Sequence, residues 1–169
     1  NEYKKLFIAD GYRVTLLSVP RQDSFDTVNI KLTKHLIDSI NQIEPLSYIT
    51  ILGHAAVPYS GYDAVDGHPD HIGAWPCDAF YVQFHDHWSD SLVDAHSAAD
   101  PRNINIPGDG KFDQLFIYDS VKIAIGRIDF SNLPDLYKSE LQLYSDYIDR
   151  VSAYKHGELL LNKSAAIAD

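Results

Sequence analysis

The chain has 169 residues, of which 45% are hydrophobic and 22% charged, and these proportions exclude a disordered or collagen-like polypeptide. Its net charge of -10 argues against nucleic acid as a partner, because phosphate binding needs a basic surface that releases counterions. The length suits one domain or two small lobes, and no apolar run is long enough to span a membrane.

The N-terminal part of the chain predicts two helices and two strands in alternation. Residues 1–10 have the pattern of a short amphipathic helix that Gly11 ends. Residues 13–19 are rich in leucine and β-branched side chains and predict a buried strand, and residues 48–52 predict another. The helix between these strands, over residues 28–43, is predicted from apolar residues at helical spacing: Val28, Leu32, Leu36, Ile40 and Ile43.

A succession of strand, helix and strand predicts a right-handed βαβ unit with parallel strands. Functional sites in such sheets gather beyond the carboxyl ends of the strands. His54 lies just beyond the second predicted strand and opens a long insertion, residues 54–113, that has little periodicity. Because long loops in compact domains are commonly functional, we expect the functional residues to lie in this insertion.

The insertion has an unusual segregation of charge. Residues 54–101 contain no Lys or Arg, but they contain eight Asp and six of the eight His of the chain. Of the 24 acidic residues in the whole chain, 20 are Asp, a residue type enriched in turns and hard-cation loops. Since clustered carboxylates repel one another without a countercharge, this composition favours a bound divalent cation.

Further elements are predicted within and after the insertion. Residues 79–84 predict a short edge strand, and residues 121–125 predict a strand that returns to the sheet. A long helix is predicted to begin near residues 131–132 and to continue to residue 151, and residues 165–168 begin another strand. The chain lacks methionine and starts inside a helical pattern, so we expect it to be part of a larger polypeptide.

The sharpest candidate metal site is the motif HPDH at residues 68–71. Two imidazoles three residues apart can share one ion on a turn, and a mixture of imidazole and carboxylate suits Zn, Mn or Fe better than Ca. The alternative is that these side chains hydrogen-bond to the loop backbone. The predicted ligands are His54, Asp66, His68, His71 and Asp78.

A second candidate, for calcium, lies at residues 103–113. When the calcium-loop template starts at Asn105, Asp109 occupies its fifth position and Asp113 its ninth. The glutamate expected at the twelfth position is replaced by Phe116, so other oxygens of the insertion would have to complete the shell. The alternative is a plain turn in which the aspartates accept hydrogen bonds from the backbone.

Cys77 and Arg127 each have a functional and a structural interpretation. A lone cysteine in a chain with histidines is a possible nucleophile, but the Trp-Pro pair before Cys77 and the apolar stretch after it favour a packed position. Arg127 follows a predicted strand and precedes Asp129, which suits an anion clamp or an ion pair that orients the turn. We favour the structural interpretation of both residues.

Three segments resemble, in the same order, the forepart of a gingipain-type cysteine peptidase domain of the caspase-like group. They are ITILGHAAVP at residues 49–58, VKIAIGR at residues 121–127 and KSAAIAD at residues 163–169. His54 stands where that family usually has an acidic residue, and the insertion is richer in His, Trp and Asp, which makes the chain more similar to uncharacterised secreted bacterial relatives. The resemblance implies that the catalytic His and Cys follow residue 169, so no catalytic dyad is matched here.

Together these features predict a three-layer α/β sandwich with a mostly parallel, Rossmann-like or caspase-like sheet, as one domain or a fragment of a larger one. The leading hypothesis is the scaffold of a secreted or cell-surface peptidase-like domain with structural calcium or zinc. Its expected partners are the rest of a larger polypeptide and a peptide or protein substrate. The alternatives are a non-catalytic, metal-stabilised binding module and a metallohydrolase that uses the loop's His and Asp side chains directly.

Overall fold

The computed structural model describes residues 2–64, 66–85, 87–98 and 100–159, without the side chain of Asp135. The chain divides into two compact units, one formed by Ser18–Asp129 and the other by the flanking segments 1–17 and 130–169. The α-helices of the described part are α1 Glu2–Ala9, α2 Thr27–Ile43, α3 Ala79–Val82 and α4 Glu140–Lys155. Its strands are β1 Tyr48–Leu52, β2 Tyr59–Ser60, β3 Trp75–Pro76 and β4 Ala124–Ile128.

The strands of the described residues form two small sheets in the Ser18–Asp129 unit. Strand β1 pairs in parallel with β4, in a register that runs from Tyr48 opposite Ala124 to Leu52 opposite Ile128, and β2 pairs antiparallel with β3. The structure is therefore mixed α/β with a small parallel sheet, as the sequence predicts. The parallel pair is connected by residues 53–123, and this long connection brings the insertion back to the sheet where it began.

The strand predicted over residues 13–19 is not present. Its backbone forms no strand, and Leu16 and Leu17 are 57% and 43% exposed. The β-branched composition of this segment gives only a propensity, and a strand forms when a neighbour pairs with its backbone groups. The prediction of a βαβ unit that includes this segment is therefore wrong, and the strand that pairs with β1 is β4.

Helix α2 has the predicted extent but buries a different face. Asp26 caps it by accepting a hydrogen bond from the Val28 amide at 2.8 Å. The buried side chains are Ile30, Thr33 and Ile37, whereas Val28, Leu32 and Ile43 from the predicted stripe are exposed. Ile30 and Ile37 pack in the main hydrophobic core with residues from β1, α3 and the insertion: Ile51, Ala55, Ala56, Phe80, Tyr81 and Phe112.

Residues 79–84, predicted as an edge strand, begin with the short helix α3. Its three consecutive residues Phe80, Tyr81 and Val82 are all buried. A short, fully apolar run does not distinguish a buried strand from a buried helix, which explains the error. The Tyr81 hydroxyl donates a hydrogen bond to the Ala56 carbonyl at 2.8 Å, so α3 is fastened to the segment that follows β1.

The C-terminal elements begin later than predicted. Strand β4 starts at Ala124 instead of residue 121, and the long helix α4 starts at Glu140 because a 3-10 turn at Pro134–Leu136 and a left-handed Tyr137 precede it. Ser139 and Gln142 form a reciprocal capping box at its first turn.

The strand predicted at residues 165–168 lies outside the described residues. No described helix combines the length and apolarity needed to cross a bilayer.

Candidate metal centre

Three predicted metal ligands, Asp66, His68 and His71, lie together in the insertion. The Oδ2 atom of Asp66 is 3.2 Å from Nδ1 of His68 and 2.5 Å from Nδ1 of His71. The two imidazole rings stand edge to face with centroids 5.3 Å apart. Each residue thus offers one ligand atom, and these atoms all lie within 4.8 Å of one another.

The local sequence explains why these side chains converge. The His68 amide donates to Oδ1 of Asp66 at 3.1 Å, which closes a tight turn around Gly67. Pro69 then begins a 3-10 helix in which the His71 amide donates to the His68 carbonyl at 2.8 Å. His68 is the extended residue that precedes this helix, and the contact between its ring and that of His71 places both imidazoles on one side of the turn.

Hydrogen bonds keep the Asp66 carboxyl ionised and hold the cluster in place. The hydrogen bond from His71 is the largest influence on Asp66 and, together with the His68 amide, holds the pKa of this carboxyl well below its usual range. The Trp75 indole donates to the His71 carbonyl at 2.5 Å, and the rings of His71 and Trp75 are in edge-to-face contact. Trp75 belongs to β3, so the cluster is attached to the small antiparallel sheet.

The donor set fits a zinc-class ion. Two imidazoles and one carboxylate are ligands that zinc and related transition metals accept. Donors in a tetrahedral site with bonds of about 2.1 Å lie about 3.4 Å apart. The His68–Asp66 separation of 3.2 Å is close to that spacing, and the 2.5 Å His71–Asp66 contact would have to widen. Because all three side chains are at least 37% exposed, such a rotation meets little resistance from packing.

The other two ligands predicted with this cluster have different partners. Nδ1 of His54 is 2.6 Å from Oδ2 of Asp129, at the carboxyl ends of β1 and β4. Asp78 receives two hydrogen bonds from Arg127. Among the described residues, this cluster is the one group of three or more His, Cys, Asp or Glu side chains whose ligand atoms all lie within 4.8 Å of one another.

Arg127 forms an ion pair with Asp78. Its Nε and Nη2 atoms donate to the two carboxylate oxygens of Asp78 at 2.8 and 2.7 Å. Nη1 and Nη2 also donate to the carbonyls of Ala55 and Ala56 at 2.7 and 3.0 Å. Burial by itself would lower the pKa of Arg127, but the pairing with Asp78 raises it. These contacts join β4, the start of the insertion and α3, which supports the structural interpretation of Arg127.

The residues of the predicted calcium loop have their own partners. Asp113 accepts backbone hydrogen bonds from Ser91, Leu92 and Val93 at 2.9–3.2 Å. Burial would raise the pKa of Asp113, but these hydrogen bonds together with one from Ser89 outweigh it, and the pKa is lowered.

Asp109 and Asn105 are likewise engaged within the loop. Asp109 pairs with Lys111 at 2.9 Å and also accepts from the Lys111 and Ile106 amides. The Asn105 amide group donates to the carbonyls of Gly61 and Phe112, while its own oxygen is buried without a partner. These contacts agree with the alternative to a calcium site, in which polar side chains hydrogen-bond to the loop backbone and stabilise its conformation.

One organising carboxylate, Asp90, was missed from the sequence. Its two oxygens accept hydrogen bonds from the Gly108 and Gly110 amides, both at 2.7 Å. The acceptor lies about twenty residues before the turn that it closes, and no local pattern connects the two segments. Only the folded loop identifies this contact.

Cys77 is placed as a packed residue. It is half-buried, and burial raises the pKa of its thiol, which disfavours the thiolate that a nucleophile requires. Its amide donates to the Pro58 carbonyl at 2.8 Å, next to the β2–β3 pair. These observations favour the structural interpretation of this cysteine.

Comparisons of the chain with protein-family models, with curated proteins and with solved structures gave no match.

Proposed function

We propose that this chain is a metal-stabilised module in which Asp66, His68 and His71 hold a zinc-class divalent ion that orders the acidic insertion. The observation that supports it is the convergence of three ligand atoms within 4.8 Å of one another. The ion would cross-link the outer turn of the insertion, at residues 66–71, which the Trp75 indole joins to the small antiparallel sheet. The module would present this ordered loop at its surface.

Contacts within the protein already satisfy several carboxylates of the insertion, which leaves fewer of them in need of a bound ion. Asp78 is neutralised by Arg127 and Asp109 by Lys111, and both cationic residues lie outside the segment 54–101. Asp113 is satisfied by backbone amides. The general excess of Asp is therefore partly balanced by the fold, and the argument for a metal concentrates on Asp66 with its two histidines. Calcium at Asn105, Asp109 and Asp113 would have to compete with the protein partners that these side chains already have.

Metal content and thermal stability test the proposal together. The purified chain should contain about one equivalent of a zinc-class metal after exposure to it, and a chelator should lower the melting temperature because the ion binds the folded state. The double variant His68→Ala/His71→Ala should lose the metal and the chelator effect. His96→Ala is a matched control, since His96 is an exposed histidine of the same insertion that pairs with Asp94. A chain that binds no metal and melts identically with zinc or chelator would overturn the proposal.

We further propose that the module is the forepart of a secreted, gingipain-like peptidase domain with a three-layer, caspase-like arrangement. Its support is that two of the resembling segments form the neighbouring strands β1 and β4, and that both end at the same sheet edge. The chain alone should then hydrolyse no peptide library, whereas the polypeptide extended past residue 169 should do so through a cysteine that is not Cys77. Peptide hydrolysis by the chain alone that Cys77→Ala abolishes would contradict this.

The metallohydrolase hypothesis requires His54, His68, His71 and Asp78 around one ion. Asp129 holds His54 and Arg127 holds Asp78, so two of these four side chains have partners away from the cluster. This geometry favours the module over a four-ligand hydrolytic centre.

A further inference from the structure

The metal centre has fewer protein donors than a closed zinc site. Structural zinc sites are almost always surrounded by four protein ligands, whereas sites with three protein ligands keep a position for water or another molecule. In the described part of the chain, no fourth His, Cys, Asp or Glu joins Asp66, His68 and His71 within the same 4.8 Å group. An ion bound there would have an incomplete protein shell.

The side chains that would hold the ion are exposed to solvent. The side chains of Asp66, His68 and His71 are 41%, 62% and 37% exposed. The Trp75 indole holds the cluster through a hydrogen bond to the His71 carbonyl. An exogenous donor can therefore reach the ion without displacing a packed element.

The local charge selects the class of that donor. The cluster contains a carboxylate, exposed Asp70 lies within the same 3-10 turn, and Asp63 precedes it in the same loop. The chain as a whole carries a net charge of -10. The +2 charge of a bound divalent ion is outweighed by the three carboxylates of Asp63, Asp66 and Asp70, so an anionic ligand gains no net attraction here, whereas a neutral nitrogen donor such as imidazole, a favoured zinc ligand, meets no repulsion.

We propose that the ion held by Asp66, His68 and His71 keeps a solvent-facing coordination position that exchanges water for a neutral imidazole donor, the group that a histidine of a peptide ligand would present. This inference rests on the proposed metal centre. The metal centre would then bind a ligand in addition to stabilising the loop. The ligand shell would then be completed by the binding partner.

Cobalt(II) provides a test that separates the inference from the proposed function. The chain loaded with one equivalent of Co²⁺ should show visible absorption that His71→Ala abolishes and His96→Ala preserves; absence of this absorption would overturn the metal centre itself. Free imidazole should then shift the bands saturably, with one imidazole per cobalt, while equilibrium dialysis shows that cobalt stays bound. Acetate at the same concentrations should shift them much less.

Three results would overturn the inference while leaving the metal centre standing. The cobalt spectrum could ignore imidazole, which would show a closed shell. Imidazole could remove the cobalt from the protein, which would show that the ion does not stay bound when imidazole binds. Acetate could shift the bands as much as imidazole does, which would contradict the selection of a neutral donor by charge.

Discussion

The imidazole of His54 and the carboxylate of Asp129 meet where the two parallel strands end, with Nδ1 and Oδ2 2.6 Å apart. The Gly53 amide donates to the Ile128 carbonyl at 3.0 Å, so the pairing of β1 and β4 continues up to this contact. Both side chains are largely buried, at 18% and 19% exposure. The pair therefore ties the first residue of the insertion to the strand at which the insertion returns.

We expect His54→Ala to lower the free energy of unfolding by about 1–3 kcal/mol, because it leaves a largely buried carboxylate without this hydrogen bond. Metal content should not change, since His54 lies apart from the Asp66 cluster. Urea unfolding and elemental analysis of the same preparations measure the two effects. Loss of metal with unchanged stability would return His54 to the ligand set predicted from the sequence.

Arg127→Ala should be more damaging, since Arg127 holds Asp78 and two backbone carbonyls. Removing one partner of a largely buried ion pair typically costs about 3–5 kcal/mol, because the other charge stays buried without its partner. Arg127→Lys should recover little, since a lysine cannot reproduce the two parallel hydrogen bonds. The control is Arg102→Ala, which removes an exposed pair with Asp100 and should cost less than about 1 kcal/mol. Equal urea midpoints for the Arg127 and Arg102 variants would contradict this.

The sequence predicts those features that depend on neighbouring residues. Strand β1 lies at the predicted residues 48–52, and α2 has the predicted length, because Asp26 and Pro45 mark its ends. The HPDH motif brings two histidines together because a 3-10 turn does so locally. Each of these outcomes follows from spacing within a few residues.

Features set by distant contacts could not be predicted in the same way. The buried face of α2 is chosen by Phe80, Phe112 and other residues that reach it from the insertion. The countercharge of Asp78 comes from Arg127, 49 residues away, so the charge segregation of the insertion overstated the need for ions. Both depend on how the insertion folds, and its sequence has too little periodicity to predict that fold.

Asp113→Asn should destabilise the chain in a pH-dependent way. At neutral pH we expect a loss of about 2 kcal/mol, because a charged acceptor of three amides becomes a neutral group with one acceptor oxygen. The pKa of Asp113 is lowered in the folded chain, so its contribution is complete above the ordinary pKa near 4 and is lost as pH falls through the folded pKa. The stability difference between parent and variant should therefore shrink below about pH 4. Urea unfolding at pH 7 and pH 3 measures it, and Asp94→Asn is an exposed control. A constant or growing difference at acid pH would contradict the hydrogen-bonding account.

The turn at residues 108–110 offers the sharpest comparison, because Gly108 and Gly110 share a backbone conformation and a hydrogen-bond acceptor but differ in the space around them. Both have a left-handed φ, at 84° and 90°, and both donate to Asp90. A Cβ on Gly108 would meet nothing within 4 Å, whereas one on Gly110 would lie 1.8 Å from Cγ2 of Thr27, the first residue of α2. The insertion is thus packed against α2 through a position that only glycine fits.

We expect Gly108→Ala to cost about 1–2 kcal/mol, from backbone strain alone. Gly110→Ala should cost about 1–3 kcal/mol more, from the clash with Thr27. In a Thr27→Ala background, where Cγ2 is absent, the additional penalty at residue 110 should largely disappear while the penalty at residue 108 should not change. The parent and the five single and double variants are compared by urea unfolding in one buffer. Equal penalties at the two glycines, or a penalty at Gly110 that Thr27→Ala does not relieve, would show that the insertion does not pack on α2 in this way.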